Sequence, residues 1–456
     1  MPNMDQLVSR LKEVAGEAHV LKDPEKLKAY ALNGTCPKVF VAPGTVEEVS
    51  KIVAFANQEH VTIIPRGNGT KMGMGGVPKG MDLILSTLRL NQIIDCDVDN
   101  LTLSVQSGIT LGEVQRLLAE QGKGYFFPLD PPFTEQATLG GIVATNSSGP
   151  RRFTYGTARD LVIGIKTVFP NGDVVVSGGK TVKNVSGYDL SKTLIGSMGT
   201  LGVLCEMTCR LLPLPEKMAT LLVPFAGLKD AGSFVQKILK SQLLPASVEV
   251  LNSVTLHQIK ETLPPLPEGN YLAAIGLEGV TESVDRQISE MEEMGKKEGA
   301  LDVATLLTER HRTFWTVLQD LSQRLHKISP NLLALKSNFL ISKGADMMGY
   351  HETLVRESGL DCALVCHSGN GILYSYVLVG EELPFKKDSL IELIEKLTLL
   401  AVKHEGNLVV ESSPPVIREK VHVWGQPRND LRIVRRLKEE IDPAGILNPG
   451  RFVGGI

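Results

Sequence analysis

The chain has 456 residues, of which 43% are hydrophobic and 22% charged, a composition typical of a globular protein with two or three domains. Its 48 basic and 51 acidic residues give a formal net charge of −3, which gives no support for binding to nucleic acid or to an anionic membrane. The N-terminal sequence lacks a signal-peptide core, and no apolar run approaches the roughly 18 residues of a transmembrane segment, so we expect a cytoplasmic protein, free or docked on a membrane-associated complex.

Helices and strands are predicted to alternate in the first hundred residues. Leu7, Leu11 and Val14 have helical spacing and indicate a helix over 5–17. The strand candidates KVFVAP, VTIIP and MDLILS follow, and a helix that begins at Thr45 lies between the first two. This strand–helix–strand order predicts a small parallel sheet.

A second group of β-rich segments ends in a run of prolines. The strand LTLSVQ precedes a helix opened by Thr110, and the two β-branched arms around Asn171-Gly172 predict a hairpin. The strand in GTLGVLCEMTCRLLPLP is closed by Pro213 and Pro215, where we place a domain boundary.

Beyond residue 215, strands alternate with long helices. This pattern predicts an antiparallel or mixed sheet covered on one face. The predicted helices are 227–241, 281–297, 309–326, 344–357, 386–404 and 428–441.

Six cysteines occur, and none belongs to a CxxC pair, so a ferredoxin-type iron–sulfur motif is absent from the sequence. Cys205 and Cys209, like Cys362 and Cys366, are four residues apart in apolar, strand-like runs. Residues four apart in a strand share a face, which predicts reduced thiols in the core.

The segment IIPRGNGTKMGMGG, residues 63–76, combines five glycines with Arg66 and Lys71. A Rossmann G-x-G-x-x-G pattern fails here, because its third glycine falls on Met72 or Pro78. The nearest P-loop candidate has Val174 in place of its leading glycine. Bare amides beside cations can still wrap a pyrophosphate, and a ligand-free surface loop stays the alternative.

Three further segments share this richness in small residues. Residues 128–160 combine rigid prolines with Gly140-Gly141 and the polar run 145–149, which lets a flat ligand approach the backbone. The segment TVKNVSGYDLSKTLIGSMGTLGV contains four glycines, and ILNPGRF lies near the C-terminus.

Together and in this order, these segments resemble the FAD-binding oxidoreductases of the vanillyl-alcohol oxidase and p-cresol methylhydroxylase (PCMH) type. Within that group the chain is most similar to the FAD-binding subunits of glycolate oxidase and to D-lactate dehydrogenases. The resemblance implies an α+β fold, in which a PCMH-type FAD-binding domain of two α/β subdomains precedes a cap domain with an antiparallel sheet covered by helices. The implied ranges are 1–215 (subdomains 1–95 and 96–215), 216–410 for the cap, and 411–456 returning to the FAD domain.

The resemblance also implies which residues hold FAD. The pyrophosphate would be lined by Pro65, Arg66, Gly67, Asn68, Gly69 and Thr70. The flavin side would be lined by Pro128, Asp130, Thr138, Gly140, Gly141, Thr145 and Ser147, with backbone contacts from Gly202 and Val203 and with Asn448 near the ring. Thr70 stands where some relatives attach FAD through a histidine, so we expect non-covalent FAD.

The chain departs from the resembled family in the cap domain. The usual metal-binding pattern H-x-G-D-G-N-x-H reads HSGNGILY over 367–374, and the partner motif G-E-H-G is missing around Ser412-Ser413. One remaining histidine does not make a metal site, so we predict no metal. This loss points to the second, E-type FAD subunit of glycolate oxidase complexes, which is related to the D-type subunit.

His367 is the candidate general base, and Lys336 is the candidate for holding a substrate carboxylate, with Arg312 as a second cation. A structural histidine and surface cations are the alternatives. Arginines 428, 432, 435 and 436 have near-helical spacing, either as a docking stripe or as a solvated face.

Three functions are therefore compared. The first is oxidation of a small 2-hydroxy acid, such as glycolate or D-lactate, with electrons passing from FAD to an iron–sulfur subunit beside a second FAD subunit. The second is an electron-relay or assembly subunit without its own turnover. The third is a scaffold without FAD, against which the intact glycine loops argue.

Overall fold

A computed structural model describes residues 4–181, 188–260, 263, 265–381 and 383–456. The predicted motif residue Gly187 lies outside the described residues. The chain forms two compact units. Unit 1 comprises Met1–Ser148, Thr157–Pro213 and Pro427–Ile456, and unit 2 comprises Gly149–Gly156 and Leu214–Gln426. The domain ranges 1–215, 216–410 and 411–456 stay predictions.

Helices and strands occur in both units, which confirms the α+β class. The helices are α1 (Met4–Ala15), α2 (Pro24–Leu27), α3 (Val46–Gln58), α4 (Leu111–Gln121), α5 (Leu139–Thr145), α6 (Arg152–Tyr155), α7 (Ala158–Leu161), α8 (Leu190–Leu194), α9 (Leu228–Lys240), α10 (Ser253–Ile259), α11 (Thr281–Lys297), α12 (Thr308–Gln319), α13 (Leu321–Ile328), α14 (Gly344–Glu357), α15 (Leu383–Lys403), α16 (Pro415–Arg418) and α17 (Leu431–Ile441). The strands are β1 (Val20–Leu21), β2 (Val39–Val41), β3 (Ile63–Arg66), β4 (Leu83–Ser86), β5 (Ile93–Asp97), β6 (Thr102–Gln106), β7 (Tyr125–Phe126), β8 (Val162–Val168), β9 (Val174–Gly178), β10 (Val203–Arg210), β11 (Leu212–Pro213), β12 (Lys217–Phe225), β13 (Ser247–Asn252), β14 (Tyr271–Gly279), β15 (Ala304–Leu307), β16 (Leu333–Asn338), β17 (Asp361–His367), β18 (Ile372–Leu378) and β19 (Asn407–Ser412). Within the described part of the chain, no helix has the length and apolarity to cross a membrane.

The first sheet of unit 1 has the strand order β1-β2-β4-β3. β2 and β3 both pair with β4 in parallel, as predicted, and β1 adds an antiparallel edge. The helix α3 connects β2 to β3 and begins after Thr45, whose side chain accepts the backbone N–H of Glu48. Its buried face, with Val49, Ile52 and Val53, packs into the core of this sheet.

The second sheet of unit 1 is antiparallel, in the order β5-β6-β10-β8-β9. The predicted hairpin is confirmed as β8–β9, whose turn is closed by the N–H of Phe169 donating to Asp173 O. Gly172 in this turn has φ +88°, which favours glycine. The predicted start of α4 is also confirmed, since Thr110 and Glu113 form a reciprocal capping box.

The two cysteines of β10 are buried and free, as predicted, but they do not share a face. Cys205 packs with Val203 in the core of the first sheet, whereas Cys209 packs with Met207 in the core of the second. The pairing of β10 with β8 shifts register at Leu204/Glu206 and again before Cys209. Such a bulge turns the following side chains to the other face, and the sequence spacing does not reveal it.

The C-terminal segment of unit 1 returns to the first sheet. Ile63 of β3 donates its N–H to Ile446 O and accepts the N–H of Asn448. The buried Lys438 of α17 donates to Thr200 O, Asp442 and Leu447 O, at 2.7, 2.5 and 2.9 Å. All three ammonium donors are therefore satisfied, and the Lys438–Asp442 ion pair ties α17 to the segment that contains Asn448.

Unit 2 is built on an eight-stranded sheet in the order β15-β12-β14-β13-β17-β18-β16-β19, antiparallel throughout. Its first core lies on one face under α9, α11, α14 and α15. Its second core lies on the other face against α12 and α13. The expectation of helices on one face only was therefore wrong: many strands are apolar on both faces, and each face needs its own cover.

Candidate active site

The glycine loop of unit 1 is folded tightly against two other segments. A Cβ on Gly67 would stand 2.1 Å from Thr138 Oγ1. A Cβ on Gly75 or Gly76 would stand 2.5 or 2.3 Å from a carbonyl oxygen of the C-terminal segment. The glycines are thus required because a side chain or a backbone carbonyl approaches closely, and the loop is part of a three-segment wall.

Arg451 joins the C-terminal segment to this loop. Its side chain is 1% exposed and donates to the carbonyl oxygens of Gly76, Met72 and Met74, at 2.7, 2.7 and 2.5 Å. A planar guanidinium can satisfy several carbonyls at once, which an ammonium does less well. Arg451 lies in the NPGRF motif, but its role in holding the loop could not be predicted from the sequence.

A groove in unit 1 brings together most of the predicted FAD residues. It is lined by Pro65, Arg66, Gly67, Gly69, Thr70, Thr138, Gly141, Thr145, Ser147 and Asn448. An adjoining cavity shares part of this lining and adds Gly140, Gly202 and Val203. Asn68 instead donates its amide to Gln136 O at 2.8 Å, and the buried Pro128 and Asp130 do not line either cavity.

The groove has the chemistry that a dinucleotide requires. The guanidinium of Arg66 lies 5.1 Å from the centre of the Tyr30 ring, and burial lowers the pKa of Arg66. Asn448 donates its amide to Met198 O, while its buried Oδ1 has no hydrogen-bond partner among the described residues. The groove therefore fits a bound group that carries both phosphates and N–H donors. The phosphates suit cationic Arg66 and Lys71 and the glycine amides, and an N–H donor suits the buried oxygen of Asn448.

A belt of polar side chains crosses the eight-stranded sheet of unit 2 on the face of its second core. We call Glu249, Glu278, Lys336, His367, Tyr374 and Glu411 the polar belt. Each follows a residue of the first core along its strand and therefore points to the opposite face. The belt runs across β14, β13, β17, β18, β16 and β19.

The centre of the belt is the pair His367 and Glu249. Their strands place them directly opposite each other, and His367 Nδ1 lies 2.6 Å from Glu249 Oε2. The side chains are 7% and 1% exposed, and burial raises the pKa of Glu249 well above its usual value. The ring of Tyr374 stands edge-on to the imidazole at 5.1 Å.

Lys336 lies on the other side of Tyr374. Its Nζ is 5.5 Å from the centre of that ring and 3.8 Å from Glu411 Oε1. Burial lowers the pKa of Lys336, and the carboxylate of Glu411 acts in the opposite direction. A half-buried ammonium that faces an aromatic ring and a carboxylate 3.8 Å away is suited to binding a second anion.

The short helix α6 adds two cations to this region of unit 2. Arg151 Nε donates to Glu278 Oε1 at 2.7 Å, and the hydroxyl of Tyr155 donates to the other oxygen of the same carboxylate at 2.7 Å. The positive charge of Arg152 contributes to lowering the pKa of Lys336. Sequence analysis assigned none of these residues to a site, because their partners lie far away along the chain.

Other predicted features of unit 2 lie elsewhere. Arg312 lines a cavity of about 480 Å³ with Lys217, Glu309 and His311. A cavity of about 500 Å³ lies on the side of the first core, with Val250, Met348 and Cys366 in its wall. Across the described ranges, no group of three or more His, Cys, Asp and Glu side chains is placed to hold a metal ion.

Comparison with known proteins decides the family. The family described as "FAD binding domain" matches residues 37–178, and "FAD linked oxidases, C-terminal domain" matches residues 214–452. The chain belongs to the FAD-linked oxidases. The predicted family and the FAD cofactor are confirmed, and this FAD-linked oxidase is an FAD-dependent oxidoreductase.

Relatives of this oxidase include two close in length. The chain is 31% identical to "Glycolate oxidase subunit GlcD" of Bacillus subtilis over 426 residues, covering 91% of this chain and 89% of that protein. It is 30% identical to "D-lactate dehydrogenase" of Archaeoglobus fulgidus over 418 residues, covering 91% of both.

The fold of the oxidase is also that of solved flavoproteins. A structure of p-cresol methylhydroxylase with substrate bound superposes with a TM-score of 0.78 and 18% identity, covering 98% of this chain and 96% of the other. An alkyldihydroxyacetonephosphate synthase gives a TM-score of 0.74 and 21% identity, covering 98% and 86%. The predicted PCMH-type fold is therefore confirmed.

Proposed function

We propose that this FAD-linked oxidase oxidises a small 2-hydroxy acid, glycolate or D-lactate, to the corresponding 2-oxo acid and passes the electrons to an iron–sulfur protein. The observation that carries this proposal is the polar belt of unit 2, where a buried histidine–carboxylate pair and a half-buried lysine flank one tyrosine. The names of the relatives, a glycolate oxidase subunit and a D-lactate dehydrogenase, support the same substrate class.

Unit 1 would hold FAD without a covalent bond. Residues Arg66 to Thr70 would bind the diphosphate through amides and the guanidinium, and Asn448 would offer its orphaned oxygen to an N–H group of the ring system. Thr70 has only a hydroxyl at the position where a histidine would be needed for attachment. FAD, when bound, supplies the two-electron redox chemistry.

The belt would supply substrate binding and proton transfer. Lys336 would pair with the substrate carboxylate, since its ammonium is poorly compensated by Glu411 at 3.8 Å. His367 would accept the proton of the 2-hydroxyl group as the C2–H bond breaks, the role of a general base. The remaining belt residues shield these groups from water, which strengthens their electrostatic interactions.

Electron transfer out of the chain would require a partner protein. Four of the six cysteines are buried, and burial raises the pKa of the Cys205 and Cys209 thiols to about 12, so these are inert core thiols. An iron–sulfur subunit would therefore receive the electrons, with a second FAD subunit beside it. The word "subunit" in the name of the Bacillus subtilis relative supports such an assembly, in the cytoplasm or docked on a membrane-associated complex.

A second candidate function is electron relay or assembly without turnover, as expected of an E-type subunit. It is favoured by one observation: Ile372 and Tyr374 replace polar positions of the usual cap motif and lie in the apolar second core.

One experiment separates the two functions. The purified chain is mixed anaerobically with glycolate, D-lactate and L-lactate, and the visible flavin absorbance is recorded. Bleaching by a D-2-hydroxy acid or glycolate at ordinary enzyme rates supports the first function. An unchanged spectrum with every acid, in a protein that carries FAD, supports the second. Acid precipitation of the same sample should release free FAD, and flavin retained on the protein would contradict non-covalent binding.

A further inference from the structure

We propose that Glu249 is a positioning residue for His367, and that the two form a dyad which accepts the substrate hydroxyl proton as a unit. This inference deepens the proposed function and rests on it. It concerns a residue for which the sequence analysis offered no role.

The geometry of the pair is fixed by the sheet. β13 and β17 are antiparallel neighbours in which Glu249 stands opposite His367, and the N–H of Ser368 donates to Val248 O at 2.9 Å. Nδ1 and Oε2 lie 2.6 Å apart, a close ion-pair contact whose angles are outside the hydrogen-bonding range. A small rotation of either side chain would let Nδ1–H donate to the carboxylate, which selects that tautomer and leaves Nε2 as the proton-accepting atom.

The turn that follows His367 leaves the ring little freedom. The N–H of Asn370 donates to His367 O, which closes the hairpin between β17 and β18. A Cβ on Gly369 would stand 2.5 Å from the Phe153 ring, and a Cβ on Gly371 would stand 2.2 Å from Phe339 O. The turn is therefore packed on both sides, and the imidazole is held between Glu249 and the edge of Tyr374.

The carboxylate would make the histidine a stronger base. Two other buried histidines, His351 and His311, bond to hydroxyl groups, His311 also to the backbone of Ala219, and burial lowers their pKa to about 3 and about 4. Such a histidine is too weak a base at neutral pH. In the dyad, the base form carries one buried negative charge on Glu249, and the arriving proton neutralises it. Proton uptake by the pair is thus favoured where uptake by an isolated buried histidine is not.

The charged and titratable groups around the dyad are few. From β18 the dyad faces Tyr374 and Tyr376, and burial raises the pKa of Tyr376, so that phenol stays neutral. The helix α6 packs on β13 and carries Arg152 and Tyr155, and Arg151, which directly precedes it, pairs with Glu278. Cys366, beside His367 in β17, is a buried thiol whose pKa is raised to about 12 by burial. Lys336 of β16 lies beyond Tyr374.

The proton and electron balance of the step is simple. The O–H bond of the 2-hydroxy acid breaks and its proton joins the dyad at His367 Nε2, while the C2–H bond breaks and its hydrogen leaves with both electrons to FAD. The acid becomes a 2-oxo acid and FAD is reduced by two electrons. Glu249 gains and loses no covalent bond, because it faces a neutral imidazole before the step and an imidazolium after it.

The test compares Glu249→Gln with the wild-type chain in two measurements. Nitrogen-15 NMR of histidine-labelled protein, with His367→Gln to assign the signal, reports the pKa and tautomer of His367 without any substrate. We expect E249Q to lower the pKa of His367 by more than one unit, because glutamine can accept a hydrogen bond but carries no charge. Anaerobic flavin bleaching should slow by roughly 100-fold at pH 7, the low end of general-base catalysis. The bleaching rate should rise with pH, and in E249Q this rise should occur at lower pH than in the wild-type chain.

Matched controls keep the result interpretable. Glu352→Gln alters a carboxylate of unit 2 that accepts from Asn252 and Tyr271, outside the belt, and should leave the His367 signal in place. If Glu249→Gln unfolds the chain, Glu249→Asp, which keeps the charge, should leave the pKa of His367 close to its wild-type value. An unchanged His367 pKa in E249Q would overturn the dyad. If no hydroxy acid bleaches wild-type flavin, the proposed function fails, yet the NMR measurement still decides the dyad.

Discussion

Replacing Arg451 with methionine should loosen the glycine loop and weaken FAD binding. The side chain is fully buried and donates to three carbonyl oxygens between Met72 and Gly76. A hydrogen bond from a charged group contributes about 1.5–3 kcal/mol, so three bonds set an upper figure of roughly 5–9 kcal/mol. Methionine fills much of the volume and water reaches some carbonyls, so we expect a loss of about 3–5 kcal/mol of unfolding free energy.

Two assays check this value. Thermal unfolding of the FAD-free chain should show a midpoint lower by on the order of 10 °C, at roughly 2–4 °C per kcal/mol for a unit of this size. Fluorescence titration should show an FAD dissociation constant raised about 10-fold or more, since part of the binding energy must then order the loop.

A matched arginine provides the control. Arg435 donates one hydrogen bond to Gly454 O from an exposed position. Arg435→Met should change the unfolding free energy by less than about 0.5 kcal/mol. If Arg451→Met unfolds within about 2 °C of wild type and binds FAD equally well, the three bonds do not hold the loop, and our account of the groove is wrong.

Three further predictions concern single side chains. Gly67→Ala should raise the FAD dissociation constant by about 10-fold or more in a fluorescence titration, because its Cβ would meet Thr138 at 2.1 Å, whereas Gly179→Ala, with open space around it, should bind normally. His351 is buried with a pKa lowered to about 3, so the unfolded chain binds its proton first as pH falls below the usual pKa of about 6.5. His351 should therefore lower the free energy of unfolding by about 2 kcal/mol between pH 7 and pH 5, as measured by denaturant titration at each pH. His351→Gln should flatten this part of the pH dependence. Lys336→Met should raise the KM for the hydroxy acid by about 10-fold or more, with a smaller effect on the limiting rate of flavin bleaching, and an unchanged KM would remove Lys336 from the site.

Local features of this chain were readable from the sequence. Thr45 and Thr110 were placed correctly at helix starts, because a capping side chain acts on the backbone within three residues. The hairpin at Gly172 was found for the same reason, since a tight turn fixes its own neighbours. The glycine loop was predicted to bind a pyrophosphate and stays a prediction, and its contact with Thr138 could be seen only in the fold.

Long-range pairings were not readable. Glu249 stands opposite His367 only because of the strand register in unit 2, and Arg451 reaches Met72 only because the last segment returns to β3. The bulge that separates Cys205 from Cys209 depends on how three strands pair. Such contacts are set by tertiary packing, and a single sequence carries no periodic signal for them.

The return of the last segment to the first sheet has a consequence for synthesis of the protein. The wall of the FAD groove needs Asn448 and Arg451, which are made after all of unit 2, whereas the glycine loop is made near the start. On the ribosome, residues 63–76 must therefore wait for their partner Arg451 until that residue has emerged. We expect the nascent chain to bind FAD only after residues 448–451 have emerged, and the waiting loop to be the segment most exposed to proteases and chaperones.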